Sequence, residues 1–225
     1  MIKGAMMACI LCGHETSRII HPKRGVYHLC PNCELITEDP AFHPSEEEAF
    51  KEYSLHENSS SDPRYIAYFR NFLESAVFPF APEGKNALDF GSGPSPVLAT
   101  LLQDSYGYQT DCYDLFFSPE KIYADKEYDL ITCTEVAEHL SDPLSVFKLL
   151  ASLLAPKGIL SVMTLLHPND EEHFISWYYI QEKSHTTFYS LKTLHRLASL
   201  TGLSLLYSDG VRYACFGKGV GPLRQ

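Results

Sequence analysis

Ten residues, Ala87-Leu-Asp-Phe-Gly-Ser-Gly-Pro-Ser-Pro96, constrain this chain more than any other stretch. A short apolar run over 86–90 leads into two glycines, and a helical pattern over 95–102 leads out. A glycine-rich loop carries meaning in that strand-to-helix setting. Gly91 and Gly93 permit a tight turn and let a ligand approach the backbone closely. Pro94 and Pro96 suit a first helical turn, where a missing N–H is harmless.

The alternation continues downstream. Residues 109–115, 128–133 and 159–164 read as strands, and 144–154 and 191–201 as helices, the last closed by Gly202. This predicts an α/β domain over 85–225, a doubly wound, mostly parallel sheet covered on both faces. Segments 203–208 and 211–216, separated by Asp209-Gly210, predict a C-terminal antiparallel hairpin. Residues 41–84 form a connector with an acidic stretch (Glu46 to Glu48), a polar break over 58–63 and a helix starting at Asp62-Pro63. In that helix Tyr65, Tyr68, Phe69, Phe72 and Leu73 share one face and are expected to be buried.

Seven cysteines are an odd number, and four of them form two pairs, Cys9-Ile-Leu-Cys12 and Cys30-Pro-Asn-Cys33. A CxxC turn presents two thiolates on one side of a tight loop, and two such turns complete the tetrahedral sulfur shell that Zn2+ favours. One pair alone would leave a redox dithiol open; two at this spacing argue for metal in a reducing compartment. Residues 1–40 are therefore read as a zinc-ribbon-like module whose closed shell is structural or recognises a partner. His14 and His28 are expected at the surface, and Cys112, Cys133 and Cys215 as small buried residues.

Lys3 followed by an apolar run to Leu11 resembles a short secretory leader, but Cys9 is better explained by its CxxC pair. The longest apolar stretch, 144–163, is broken by Lys148, Pro156 and Lys157 and cannot span a bilayer. A cytoplasmic protein is expected. The net charge of −10 argues against a general nucleic-acid binder.

A dinucleotide loop would favour a third glycine where Pro96 stands and would avoid an acid such as Asp89 beside a pyrophosphate. An acid there suits a ligand that is cationic near the loop. Asp89-Phe-Gly91-Ser-Gly93 resembles motif I of the class I (Rossmann-like) S-adenosylmethionine-dependent methyltransferases, with Ser95 in its third glycine position. Two further blocks resemble family elements, in the family's order. They are Tyr128-Asp-Leu-Ile-Thr-Cys-Thr-Glu-Val-Ala-Glu-His-Leu140 and Leu154-Ala-Pro-Lys-Gly-Ile-Leu160. The resemblance implies S-adenosylmethionine as cofactor, held by Asp89, Gly91, Ser92, Gly93, Asp114, Leu115, Thr134 and Glu135. Asp114, preferred over Asp111, would take the ribose hydroxyls. The third strand is expected to be short or missing, with the adenine near Tyr123 to Asp125.

A ligand of such a sheet sits beyond the carboxyl ends of its strands, so acceptor chemistry is expected just after the family's fourth and fifth strands. Glu138 and His139 are candidates in the first segment and His185 in the second, with His167 and His173 ranked below them. His185 is preferred as general base because imidazole titrates near neutrality. Residues 166–190, with Trp177 and three tyrosines, are read as a substrate lid. They resemble part of a motif in bacterial methyltransferases with zinc-ribbon N-termini, although Lys183 replaces an acid of that motif. The expected partner is a small-molecule methyl acceptor: a sugar-nucleotide, quinol-like or polyketide-like compound. The alternatives are a protein or RNA target recognised through the zinc module, and a non-catalytic adaptor.

Overall fold

The computed structural model describes residues 7–54 and 62–219. The start of the leader-like stretch (3–6) and part of the polar break (58–61) lie outside these described residues. Strands β1 (Ser17–His21) and β2 (Gly25–Leu29) form an antiparallel hairpin, and β3 (Ile36–Glu38) pairs with β2. Helix α1 (Glu46–Tyr53) opens on a capping box in which Ser45 and Glu48 satisfy each other's backbone N–H. Helix α2 (Pro63–Phe72) starts where Asp62-Pro63 predicts, with the Asp62 carboxylate accepting from the Arg64 N–H. It widens into one π-type turn over Leu73–Val77.

The α/β part follows with β4 (Asn86–Phe90), α3 (Val97–Tyr106), β5 (Gln109–Tyr113), β6 (Tyr128–Thr134), α4 (Pro143–Leu153) and β7 (Leu154–Met163). After it come α5 (Glu171–Ser176), β8 (Thr187–Phe188), α6 (Leu191–Thr201), β9 (Leu203–Ser208) and β10 (Tyr213–Lys218). The main sheet has the order β5-β4-β6-β7-β10-β9. Its first four strands run parallel, and β10 lies antiparallel between β7 and β9. Sheet and hairpin match the α/β expectation.

Two local readings are corrected, and the third strand is missing as expected. Pro96 precedes α3 instead of starting it, because its ψ of 65° is not helical. Strand β7 begins at Leu154, earlier than expected, and carries the 155–158 turn as an irregularity, with Lys157 at φ 67°. No third strand forms over residues 114–127, where the only pairing is the isolated bridge between Asp114 and Ser118.

A second sheet, β1-β2-β3-β8, joins the cysteine-rich segment to the lid. Ile36 and Thr37 of β3 pair with Phe188 and Thr187 of β8. Beneath this sheet Tyr27 meets Phe174 at 5.3 Å and Phe188 at 6.0 Å, edge to face. All three rings are fully buried, each contributing about 1.5–3 kcal/mol. The lid is thereby held from the N-terminal side. His28, expected at the surface, is buried instead, its ring between Thr16 and Asp39.

Candidate functional site

The β4–α3 loop lies at the carboxyl ends of the parallel strands and opens onto a cavity of about 720 Å³. Gly91 and Ser92 donate their N–H groups to the Tyr113 carbonyl at 2.7 and 3.1 Å, which pins the loop to β5. Gly91 has φ 82°, and a Cβ there would meet Val136 Cγ2 at 2.1 Å, so glycine is obligatory on two counts. Gly93 has φ 66° and donates its N–H to Asp114 Oδ2 at 2.9 Å.

Asp114 also accepts from the N–H groups of Phe116 and Phe117 at 2.9 and 3.1 Å. Its carboxylate therefore stands fixed at the mouth of the loop. Asp111, the competing acid, is engaged by Lys126 and the Tyr128 hydroxyl, both at 2.7 Å, and does not line the cavity. Asp89 is buried, and burial pushes its carboxyl up to about 6, opposed by the Thr132 hydroxyl that donates to it at 2.9 Å. Tyr123, expected near an adenine, packs against Tyr113 at 5.0 Å and stays out of the cavity, as do residues 124 and 125. Leu115, Phe116 and Phe117 line that end instead.

The β6–α4 segment, the lid and α2 supply further cavity-lining residues. Glu135 has φ 52°, and its carboxylate accepts from the Tyr68 hydroxyl at 2.5 Å and the Tyr179 hydroxyl at 3.3 Å. Tyr179 also donates to Glu138 at 2.5 Å. Burial, with Glu138 adding repulsion, pushes Glu135 up to about 7, and burial raises Glu138 as well. Arg212 Nη1 donates to the Tyr68 hydroxyl at 2.7 Å.

His139 and His185 meet edge to face with ring centres 4.8 Å apart. His139 Nδ1 lies 3.0 Å from the Ser184 carbonyl, and His185 Nδ1 lies 2.7 Å from the Tyr179 carbonyl. A carbonyl only accepts, so each Nδ1 carries a proton. In His139 this leaves the lone pair on Nε2, and burial with the neighbouring His185 lowers the ring to about 4. His185 Nε2 is 3.2 Å from a carboxylate oxygen of Glu182. Single ligand-type atoms of Glu138, His139 and His185 all lie within 4.8 Å of one another.

The cavity brings together Asp89, Gly91, Ser92, Gly93, Asp114, Leu115, Thr134, Glu135, Glu138, His139 and His185. It leaves out His173, which is exposed, and His167, which is committed elsewhere. Sequence reasoning missed Tyr53 of the connector and Arg212 as lining residues, and placed Tyr179 and Glu182 in the lid without naming them individually. It read Tyr65 and Tyr68 only as core, whereas both are half-buried and face the cavity. Their helical spacing is the same for a core face and a cavity face. Arg212 had no signal beyond its place after a hairpin turn.

The four paired cysteines converge separately. One sulfur from each lies within 4.8 Å of the others, with Cys9–Cys33 at 3.6 Å and Cys12–Cys30 at 3.4 Å. Sulfurs in a tetrahedral shell at zinc's bond length stand about 3.8 Å apart, so this donor set fits a four-thiolate metal. Both turns are built alike. Gly13 (φ 75°) and Glu34 (φ 61°) follow the second cysteine of each pair and donate their N–H to the carbonyl of the first, at 2.9 and 2.8 Å. The hydrogen bond with Cys33 lowers the Cys9 thiol to about 5, while that same bond raises Cys33 and burial raises Cys30.

The second turn is clamped to both ends of the lid. The Glu34 carbonyl accepts from His167 Nε2 at 2.7 Å, and its carboxylate accepts from the Ser190 hydroxyl at 2.9 Å. Thr193 donates to the Cys33 carbonyl at 2.8 Å.

Comparison with known proteins points one way. The family described as a methyltransferase domain matches residues 61–208. A ubiquinone biosynthesis O-methyltransferase of Aeromonas salmonicida is 30% identical over 97 residues, covering 39% of this chain and 40% of that protein. The enzyme of that name from Histophilus somni is 46% identical over 44 residues, covering 20% and 18%. The chain thus spans less than half the length of either curated relative. An O-methyltransferase family protein from Burkholderia thailandensis superposes with a TM-score of 0.52 at 12% identity, covering 68% of this chain and 55% of that one. An O-methyltransferase family 2 protein from Planctomyces limnophilus, solved with apigenin, gives 0.51 at 16% identity, covering 71% and 62%. At such identities the two structures speak for the fold alone. With well over half of its length matched by the family, the chain belongs to the methyltransferase-domain family.

Proposed function

We propose that this protein transfers a methyl group from S-adenosylmethionine to a hydroxyl of a small, quinol-like acceptor, with His139 as general base. The observation that carries this reading is one cavity lined both by the fixed Gly91–Gly93 loop and by His139, whose Nδ1 is held by the Ser184 carbonyl so that Nε2 keeps the lone pair.

Bound in that cavity, S-adenosylmethionine supplies a methyl carbon made electrophilic by its sulfonium charge. Asp89, Asp114, Glu135 and Glu138 line the space, and a cationic ligand there would favour their ionised forms and be held by them. The Gly91–Gly93 loop leaves room for it against the backbone, and Asp114 is placed to accept from ribose hydroxyls. His139 Nε2 takes the acceptor's O–H proton as its oxygen attacks. Burial keeps the ring neutral down to about pH 4, so Nε2 is unprotonated throughout the physiological range. His185, the first choice from sequence, has Nε2 set against Glu182, so it is read as positioning the lid. The quinol-like acceptor rests on the names of the partial relatives and on the tyrosines lining the cavity.

Zinc is the metal proposed for Cys9, Cys12, Cys30 and Cys33, in a closed structural shell that holds the lid through Glu34. A four-thiolate metal site in place of disulfides supports a reducing setting. Calorimetric titration with S-adenosylhomocysteine, with NAD⁺ as control, tests the reading. Micromolar binding of the first alone is expected; no binding by folded protein would overturn it.

A further inference from the structure

We infer that Arg212 is a receptor for a carboxylate brought into the cavity by a ligand, an inference that rests on the methyltransferase reading above. Arg212 is the one lysine or arginine among the described residues that line the cavity, against five acids. Its position is rigid. Asp209 accepts from the N–H groups of Val211, Arg212 and Tyr213 at 2.7–2.9 Å, and the Arg212 carbonyl accepts from Thr164 at the end of β7. The guanidinium lies over the Tyr68 ring, 5.4 Å from its centre, with Nη1 on the Tyr68 hydroxyl.

Arg212 is ion-paired with Glu135 at 3.9 Å, but that contact is too long for a hydrogen bond and leaves the guanidinium fork undirected. The Tyr68 hydroxyl, at 2.5 Å, is the donor that carboxylate takes instead. Among the described residues only Nη1 has a hydrogen-bond acceptor, so the Nε and Nη2 donors of a side chain 27% exposed are left for the cavity. A guanidinium edge of that kind is matched by the two oxygens of a carboxylate, bound side by side.

Two ligands of this reaction class carry such a group: the α-carboxylate of the cofactor's amino-acid end, and an acid on the methyl acceptor. Calorimetry on the wild type, Arg212→Gln and Arg212→Lys separates them. The probes are S-adenosylhomocysteine, 5′-methylthioadenosine (which lacks the amino-acid end) and benzoate added to the S-adenosylhomocysteine complex. Arg212→Gln is expected to weaken one carboxylate probe by about 10- to 100-fold while leaving 5′-methylthioadenosine within twofold. A loss on S-adenosylhomocysteine assigns the cofactor; a loss on benzoate alone assigns the acceptor. Arg212→Lys, keeping the charge but not the fork, should fall between, and it carries the test if the glutamine variant does not fold. Unchanged S-adenosylhomocysteine affinity, with benzoate binding absent or unaffected, overturns the inference and leaves the proposed function standing. Failure of S-adenosylhomocysteine to bind the wild type overturns both.

Discussion

The carbonyl of Ser184 sits 3.0 Å from Nδ1 of His139, so a residue of the lid sets the tautomer of a histidine 45 positions earlier. The lid itself is held by β3 on one side and by the Glu34 turn at both its ends. A path of direct contacts therefore runs from the cysteine cluster to the proposed base.

If His139 takes the acceptor proton, His139→Ala should lower kcat by about 10²- to 10⁴-fold while S-adenosylhomocysteine affinity stays within about twofold. The acid limb of the wild-type kcat profile should lie well below pH 6.5, because burial and His185 hold this ring down to about 4. Steady-state rates from pH 4 to 9 check both points. A limb near 6.5 would move the role to another group.

Glu135 gives a stability signature. Its folded value of about 7 lies above the ordinary 4.5, so folding favours the protonated form. Its contribution is complete below about 4.5 and is lost as pH rises through 7. Relative to Glu135→Gln, the wild type should lose thermal stability across that window, with Glu138 and Arg212, which face the same carboxylate, left unchanged in both proteins. Parallel melting curves at each pH would show that Glu135 does not titrate there.

Gly91 and Val136 should behave as a pair. Gly91→Ala places a methyl group 2.1 Å from Val136 Cγ2 and strains a backbone at φ 82°. Adding Val136→Ala removes the clash but not the strain, which alone is worth about 1–2 kcal/mol. Cofactor affinity should therefore be lost in the single variant and recovered only in part in the double one, as read by calorimetry.

Metal analysis should return one zinc per chain, and Cys33→Ser should abolish it while Cys112→Ser does not. Glu34→Ala and Ser190→Ala should each cost about 1 kcal/mol in denaturant unfolding. Together they should cost less than their sum, because they remove the same hydrogen bond. Full additivity would separate Glu34 from the lid.

Features read within a few residues were legible from the chain itself. The Gly91–Gly93 loop, the two CxxC turns, the Asp62-Pro63 helix start and the Asp209-Gly210 turn lie where their local chemistry predicts. Each rests on a backbone requirement or a capping bond satisfied by neighbours in sequence. The absence of a third strand was anticipated from the short 117–128 spacing.

Other properties depended on groups far apart in the chain. His28 reads as a surface residue until Asp39 and Thr16 fold around it. Tyr65 and Tyr68 keep a core-like spacing and yet face the cavity, because helical period says which residues share a face and not what that face meets. The cysteine-rich segment became part of the lid through β3 and β8, whose paired residues are about 150 positions apart. The sequence by itself determined the loop, the thiol pairs and the order of strands and helices, since these follow from backbone geometry and local hydrogen bonds. Tertiary structure alone decided which histidine keeps an open nitrogen and which cation meets the cavity, since both depend on partners that only folding brings within hydrogen-bonding distance.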